Sequence, residues 1–341
     1  MPVPMISSDP SRRKRLRTNE VMEDGRHGLR IGEVVEVRSH AEILATLDER
    51  GELDSLPFMP EMLRFCGQRF TVAKRASKLC DTITWSGMRR MEDAVHLTGV
   101  RCDGSGHGGC QAGCLVYWKE AWLKRVDDGD PAQPPPQAPP AVTPGTLAAA
   151  AAPAEDRFAC QATELLRAAP TPIPPWDLRQ YVEDVTSGNA GFWRTVRSVV
   201  VGAFNECQDL SRHLPRWLRI RGGERYPFLR GTLTRTPDQQ IGLQPGDVVR
   251  VRSREEILAT LDTGNKNRGM SFDSEMLKYC GCEARVLRRV EHIIDEGTGR
   301  MLHFANPCIV LEDVVCAGDF HRVCPRAIYP YWREIWLERV R

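Results

Sequence analysis

The sequence predicts an α+β chain, mostly β, made of two homologous small modules with helical insertions. A Pro/Ala-rich linker and a helical middle segment join them. Three observations carry this: an internal repeat, a break in composition between the copies, and apolar residues at helical spacing after the break. The chain has 341 residues, enough for about two domains. Its 47 Lys and Arg and 45 Asp and Glu leave a net charge of +2, with 41% hydrophobic residues. That balance argues against a protein that coats DNA by charge alone.

The repeat is read directly. Gly32-Glu33-Val34-Val35-Glu36-Val37-Arg38-Ser39 returns as Gly246-Asp247-Val248-Val249-Arg250-Val251-Arg252-Ser253, and Glu42-Ile43-Leu44-Ala45-Thr46-Leu47-Asp48 returns as Glu256-Ile257-Leu258-Ala259-Thr260-Leu261-Asp262. The offset is 214, and 19 of the 36 positions from Gly32 to Gly67 equal their partners. The copies also close in register, with Tyr117-Trp118 and Trp122-Leu123 against Tyr331-Trp332 and Trp336-Leu337. Solenoid units are about 20–50 residues long and come in several copies, so this is a duplicated domain.

Five segments follow: a basic tail expected to be disordered (1–30), repeat A (31–126), a linker (127–156), a helical connector (157–245) and repeat B (246–341). Pro134-Pro135-Pro136 predicts a semi-rigid polyproline spacer. In each repeat, Val34–Val37 or Val248–Val251 predicts a strand by β-branching. Ser39 with Glu42, and Ser253 with Glu256, are capping boxes for a short helix. A second short helix opens at Pro60 or Ser274, and Gly67 or Gly281 stops it. Phe70–Val72 and Arg285–Leu287 predict further strands. In the connector, Phe192, Val196, Val199, Val200 and Phe204 predict a helix over 192–210. It is expected to pack on the modules, with contact at a membrane surface as the alternative.

The twelve cysteines of a large chain without an apparent secretory leader point to metal ligands, redox groups or buried thiols rather than structural disulfides. No run of apolar residues is long enough to cross a membrane, and Met1–Leu16 is basic without an apolar core. The expected location is the cytoplasm. The repeat sorts the cysteines: Cys66, Cys102, His107 and Cys110 share the 214 offset with Cys280, Cys316, His321 and Cys324. Three thiolates and one imidazole make a common tetrahedral zinc set, and a glycine-bearing loop lets Cys, His and Cys converge. Iron or an iron–sulfur cluster is the alternative metal chemistry, although clusters prefer four cysteines. Buried unligated thiols, or a disulfide or redox dithiol, remain open. Cys80, Cys114, Cys282 and Cys308 do not pair across the repeats and are candidate extra ligands, beside His96, His292 and His303. Glu61 and Glu275 also repeat, as do Asp48 and Asp262. They are candidate bases but are expected to sit at helix ends or on the surface.

The Gly-Asp-Val-Val opening, the short strands and the closing Trp-Leu-Glu-Arg-Val resemble a small SH3-like or KOW-like barrel. The blocks Glu42–Asp48, Cys110-Gln111-Ala112-Gly113-Cys114 and Cys324–Glu334 resemble an uncharacterised bacterial group with no known activity. The resemblance therefore carries over no functional residue. No P-loop, dinucleotide fingerprint, Gly-x-Ser-x-Gly or His-Glu-x-x-His occurs. The function expected from these residues is a metal-binding tandem module that acts on a protein partner without catalysis. A metalloenzyme or redox protein is the alternative. Nucleic-acid binding through the modules and the basic tail is a third reading.

Overall fold

The computed structural model describes residues 28–126, 142–152, 154 and 156–340. The predicted tail up to residue 27 and the triple-proline spacer lie outside the described residues.

The first half begins with β1 (Val34–Val37), whose Val35 and Val37 point into the core. Ser39 then caps α1 (His40–Thr46), and both arms of the predicted capping box form. A hairpin of β2 (Glu52–Leu53) and β3 (Leu56–Pro57) leads to a 3₁₀ turn over Pro60–Phe65. Next come β4 (Arg69–Arg75), β5 (Lys78–Cys80), β6 (Met88–Arg90), β7 (Ala94–Leu97), β8 (Trp118–Lys119) and β9 (Leu123–Arg125). Of these, β4, β7, β8 and β9 join β1 in an antiparallel sheet in the order β8-β7-β4-β1-β9, while β5 and β6 pair with each other in a separate sheet. Gly67 ends the 3₁₀ turn at φ +76°, as Gly281 does in the second half at +79°.

The middle segment holds α2 (Pro144–Ala151), α3 (Leu165–Ala168), β10 (Pro172–Ile173), α4 (Arg179–Thr186) and α5 (Phe192–Ser211). The second half holds β11 (Val248–Val251), α6 (Arg254–Leu258), β12 (Lys266–Asn267), β13 (Met270–Ser271), β14 (Glu283–Ile294), β15 (Met301–Leu311) and β16 (Leu337–Arg339). Its sheet runs β15-β14-β11-β16. Pairings recur 214 residues apart: Val34 with Thr71 and Val248 with Arg285, Val35 with Arg125 and Val249 with Arg339. The halves differ in their hairpins. β14 and β15 are long and continuous, whereas the first half breaks the same stretch into β4–β5 and β6–β7. At that break the Asn189 side chain bonds both the N–H and the C=O of Arg75.

Each half packs one apolar core around a matched aromatic set. Phe58 meets Trp122 edge-on at 5.1 Å, and Phe272 meets Trp336 at 5.4 Å. The Trp122 Nε1–H donates to Thr46 Oγ1, and Trp336 Nε1–H to Thr260 Oγ1. Trp118, Trp122, Trp332 and Trp336 are fully buried, so their faces are closed to base stacking.

Two expectations change. Helix and strand hold similar shares, 26% and 25%, in antiparallel sheets that include a half-barrel. The chain is therefore mixed rather than mostly β. The alanine block expected in the spacer is α2, capped by Thr143, and Leu147 and Ala151 bury in the first core. Alanine is the best helix former, and one leucine gives the helix something to bury. The predicted helix over 192–210 is present as α5, but it buries Thr195, Ser198 and Gln208 and turns Phe192, Trp193, Val196 and Val200 outward. It is tied to the second half through Arg194, which pairs with Asp319 at 2.6 Å.

The halves meet across a contact that repeats itself. The Ile294 N–H donates to Cys110 Sγ at 3.3 Å, and the Cys80 N–H donates to Cys324 Sγ at 3.2 Å. Lys78 Nζ donates to the Arg322 carbonyl, and His292 Nε2, at the position equivalent to Lys78, meets the Gly109 carbonyl, one residue past the equivalent of Arg322. Thr82 bonds Glu296, the residue at its own equivalent position. Reciprocal contacts between equivalent positions are the mark of a two-fold arrangement.

Candidate metal centre

Each half folds one glycine-dependent loop that brings a thiol, an imidazole and a carboxylate together. In the first half, the Cys102 N–H bonds the Cys114 carbonyl, and the N–H groups of His107 and Gly109 both reach the Gly104 carbonyl. Gly104 has φ +75°, and a Cβ there would lie 2.2 Å from the Cys110 carbonyl oxygen. No other residue type fits that close approach. The second half repeats the fold: Cys316 N–H to Ile328, and His321 and Val323 N–H to Gly318, whose φ is +81°.

The loop carries Cys102 and His107 to Glu61, which the 3₁₀ turn buries. Cys102 Sγ lies 3.4 Å from His107 Nε2 and 3.4 Å from Glu61 Oε1, and His107 Nδ1 lies 3.3 Å from Glu61 Oε1. Ligand atoms of Glu61, Cys102 and His107 all fall within 4.8 Å of one another, as do those of Glu275, Cys316 and His321. This geometry is compatible with a metal ion.

The two groups differ in how their polar atoms are satisfied. In the first, Glu61 Oε2 is buried with no hydrogen-bond partner among the described residues, and His107 Nδ1 has only its 3.3 Å contact with Glu61 Oε1. Burial pushes the His107 pKa down against the pull of Glu61. Burial also pushes the Cys102 thiol far above its usual range, and the Glu61 charge adds to it. In the second, Glu275 accepts from the Ala317 and Phe320 N–H groups. His321 Nε2 pairs with Asp273 at 3.2 Å. Burial lowers the His321 pKa, but Asp273 outweighs it and raises it to about 9. That imidazole therefore holds its proton at neutral pH, and a metal must displace it. Met59 stands in the first half where Asp273 stands in the second.

The remaining sequence candidates lie elsewhere. Cys66 and Cys280 end their 3₁₀ turns and pack against the cores; burial pushes each thiol up to about 11. Cys110 and Cys324 leave their own loops for the contact between halves. Cys80 joins Cys324 there, Sγ to Sγ 3.1 Å. Burial opposes ionisation of Cys324, but the hydrogen bond with Cys80 and the charge of Arg326 bring it to about 6. Cys308 is buried near Arg333, and Cys282 is exposed. Among the histidines, His96 is buried on the Val116 carbonyl, and His292 and His303 face each other across β14 and β15.

A cavity of about 50 Å³ adjoins the first group. Glu61, Cys102 and His107 form one wall; Cys110, Cys114 and Tyr117 continue it. Cys160 and Gln161 from the middle segment and Ile294, Glu296 and Arg326 from the second half complete it. At about 10–15 Å³ per water, the space admits a few waters or one small polyatomic ligand. Cys160, a lone cysteine just past the linker, gave no pattern that sequence reasoning could use. Glu61 gave one, because it shares the 214 offset with Glu275. No known family, curated protein or solved structure matches this chain.

Proposed function

We propose that the protein binds zinc through Glu61, Cys102 and His107, and that water from the adjoining cavity takes the fourth position. The observation that carries this reading is the convergence of Glu61, Cys102 and His107 ligand atoms within 4.8 Å, with Glu61 Oε2 buried and without a hydrogen-bond partner among the described residues. A buried carboxylate oxygen without a partner is costly, and an ion would offset that cost. A mixed S, N and O donor set suits zinc. A closed site with four protein ligands builds structure only, whereas three ligands leave water on the ion. Such water ionises near neutrality and supplies a nucleophile. The arrangement therefore favours a metal-assisted reaction on a small ligand over a purely structural ion. The matching registers and loops support reading the two halves as copies of one SH3-like module, with the working centre in the first copy.

The test is elemental analysis of full-length protein purified without chelators, followed by cobalt substitution. Wild-type protein is expected to hold zinc at its first centre, and Cys102→Ser to lose about one equivalent. The cobalt form is expected to show a thiolate charge-transfer band whose spectrum shifts when azide is added. Absence of any metal, or a cobalt spectrum indifferent to azide, overturns the open-site reading.

A further inference from the structure

Cys80 and Cys324 lie 244 residues apart in sequence, on opposite halves of the molecule. Their sulfurs are 3.1 Å apart. The Cys80 N–H points at Cys324 Sγ, so the two segments are already aligned backbone to side chain. Arg326 holds the same place, bonding the Cys80 carbonyl and the Thr82 hydroxyl. The mirrored contact is a built-in comparison. There Ile294 occupies the position of Cys80 and faces Cys110 through the same N–H to sulfur bond. The packing role is thus met without a second thiol, and the second sulfur at Cys80 needs another explanation.

We propose that Cys80 and Cys324 form a peroxide-responsive dithiol that closes into a disulfide joining the two halves. Cys324 as thiolate attacks one oxygen of hydrogen peroxide; the O–O bond breaks, hydroxide leaves, and Cys324 becomes a sulfenic acid. The Cys80 sulfur then attacks the Cys324 sulfur. The S–S bond forms, the S–OH bond breaks, and the departing hydroxyl leaves as water with the Cys80 proton. Two thiols are oxidised and one peroxide is reduced to water and hydroxide. Neighbouring N–H donors and the Arg326 guanidinium stabilise the attacking sulfur. Cys324 is buried and Cys80 partly so, so peroxide, barely larger than water, must reach Cys324 past the Cys80 side of the contact.

The experiment uses the folded full-length chain treated with hydrogen peroxide, quenched by an alkylating reagent in denaturant and digested without reductant. A cross-linked peptide containing Cys80 and Cys324 is expected, two hydrogens lighter than its parts and lost on reduction. It is expected at peroxide doses that leave the fold intact. Cys80→Ser removes the cross-link and leaves a sulfenic acid on Cys324 that dimedone captures. Exposed Cys207 and Cys282 report general oxidation. If those two oxidise while Cys80 and Cys324 still alkylate fully in the wild-type chain, the proposal fails. It also fails if the cross-link forms only after unfolding. The wild-type mapping needs no variant to fold.

Discussion

His96 sits in β7 with Nδ1 on the Val116 carbonyl at 2.9 Å and Nε2 buried without a partner among the described residues. Burial holds its pKa at about 4 instead of 6.5. The unfolded chain takes up this proton as pH falls through 6.5, and the folded chain does so only near 4. The stability tied to the neutral ring is therefore whole above 6.5 and lost progressively as pH falls to 4, by about 3 kcal/mol. Val310 fills the equivalent position, so His96→Val is the natural probe. Urea unfolding between pH 7 and 4 should show a shallower fall in the variant, and parallel curves would contradict the assignment. Glu61 gives a second test at this scale. Glu61→Gln keeps the shape but loses the charge, and should weaken zinc binding by about 10–100-fold or more, read by competition with a chelator. The sequence exposed two of the three atoms in that centre, Cys102 and His107. It gave Glu61 only as a candidate base at a helix end or on the surface, because a repeated carboxylate there is an ordinary cap until its neighbours are known.

At the level of elements, short-range chemistry was the most legible part. Ser39 and Ser253 accept from Glu42 and Glu256 as their capping boxes require. Ser39→Ala and Ser253→Ala should each cost about 1 kcal/mol, visible as a lower melting temperature with the same unfolded baseline. The direction in which an element presents its side chains was less legible. Periodicity located α5 but could not say that its polar side faces the protein, because the sequence does not contain the surface that Gln208 and Ser198 meet. Gln208 spends its amide on the carbonyls of Ile220 and Glu224, a local demand that outranks the apolar stripe. The same limit explains Cys66 and Cys110. A 214 offset shows that a thiol recurs, not whether it turns toward its own loop or toward the other half.

Over the whole molecule, buried polar groups help join the two halves. Arg326 is buried and bonds Glu296 at 2.8 Å, Thr82 Oγ1 at 2.6 Å and the Cys80 carbonyl at 3.2 Å. Arg326→Met removes the charge and strands Glu296, so it should cost about 3–5 kcal/mol. Loss of this tie should also split one urea transition into two, followed by tryptophan fluorescence alongside circular dichroism. An unchanged single transition would show that the halves are held elsewhere.

The cavity beside Glu61 has walls from both halves and from Cys160 and Gln161, which follow the alanine helix in the chain. Its ligand atoms all come from the first hundred or so residues, yet its enclosure is contributed by residues synthesised much later. An ion captured early by the nascent first half would sit in open water and exchange freely. Only a completed chain could retain it. Slow metal exchange would then report that the segment from Ile294 to Ile328 is in place, and the centre would act as a seal on correct assembly as well as a seat for chemistry.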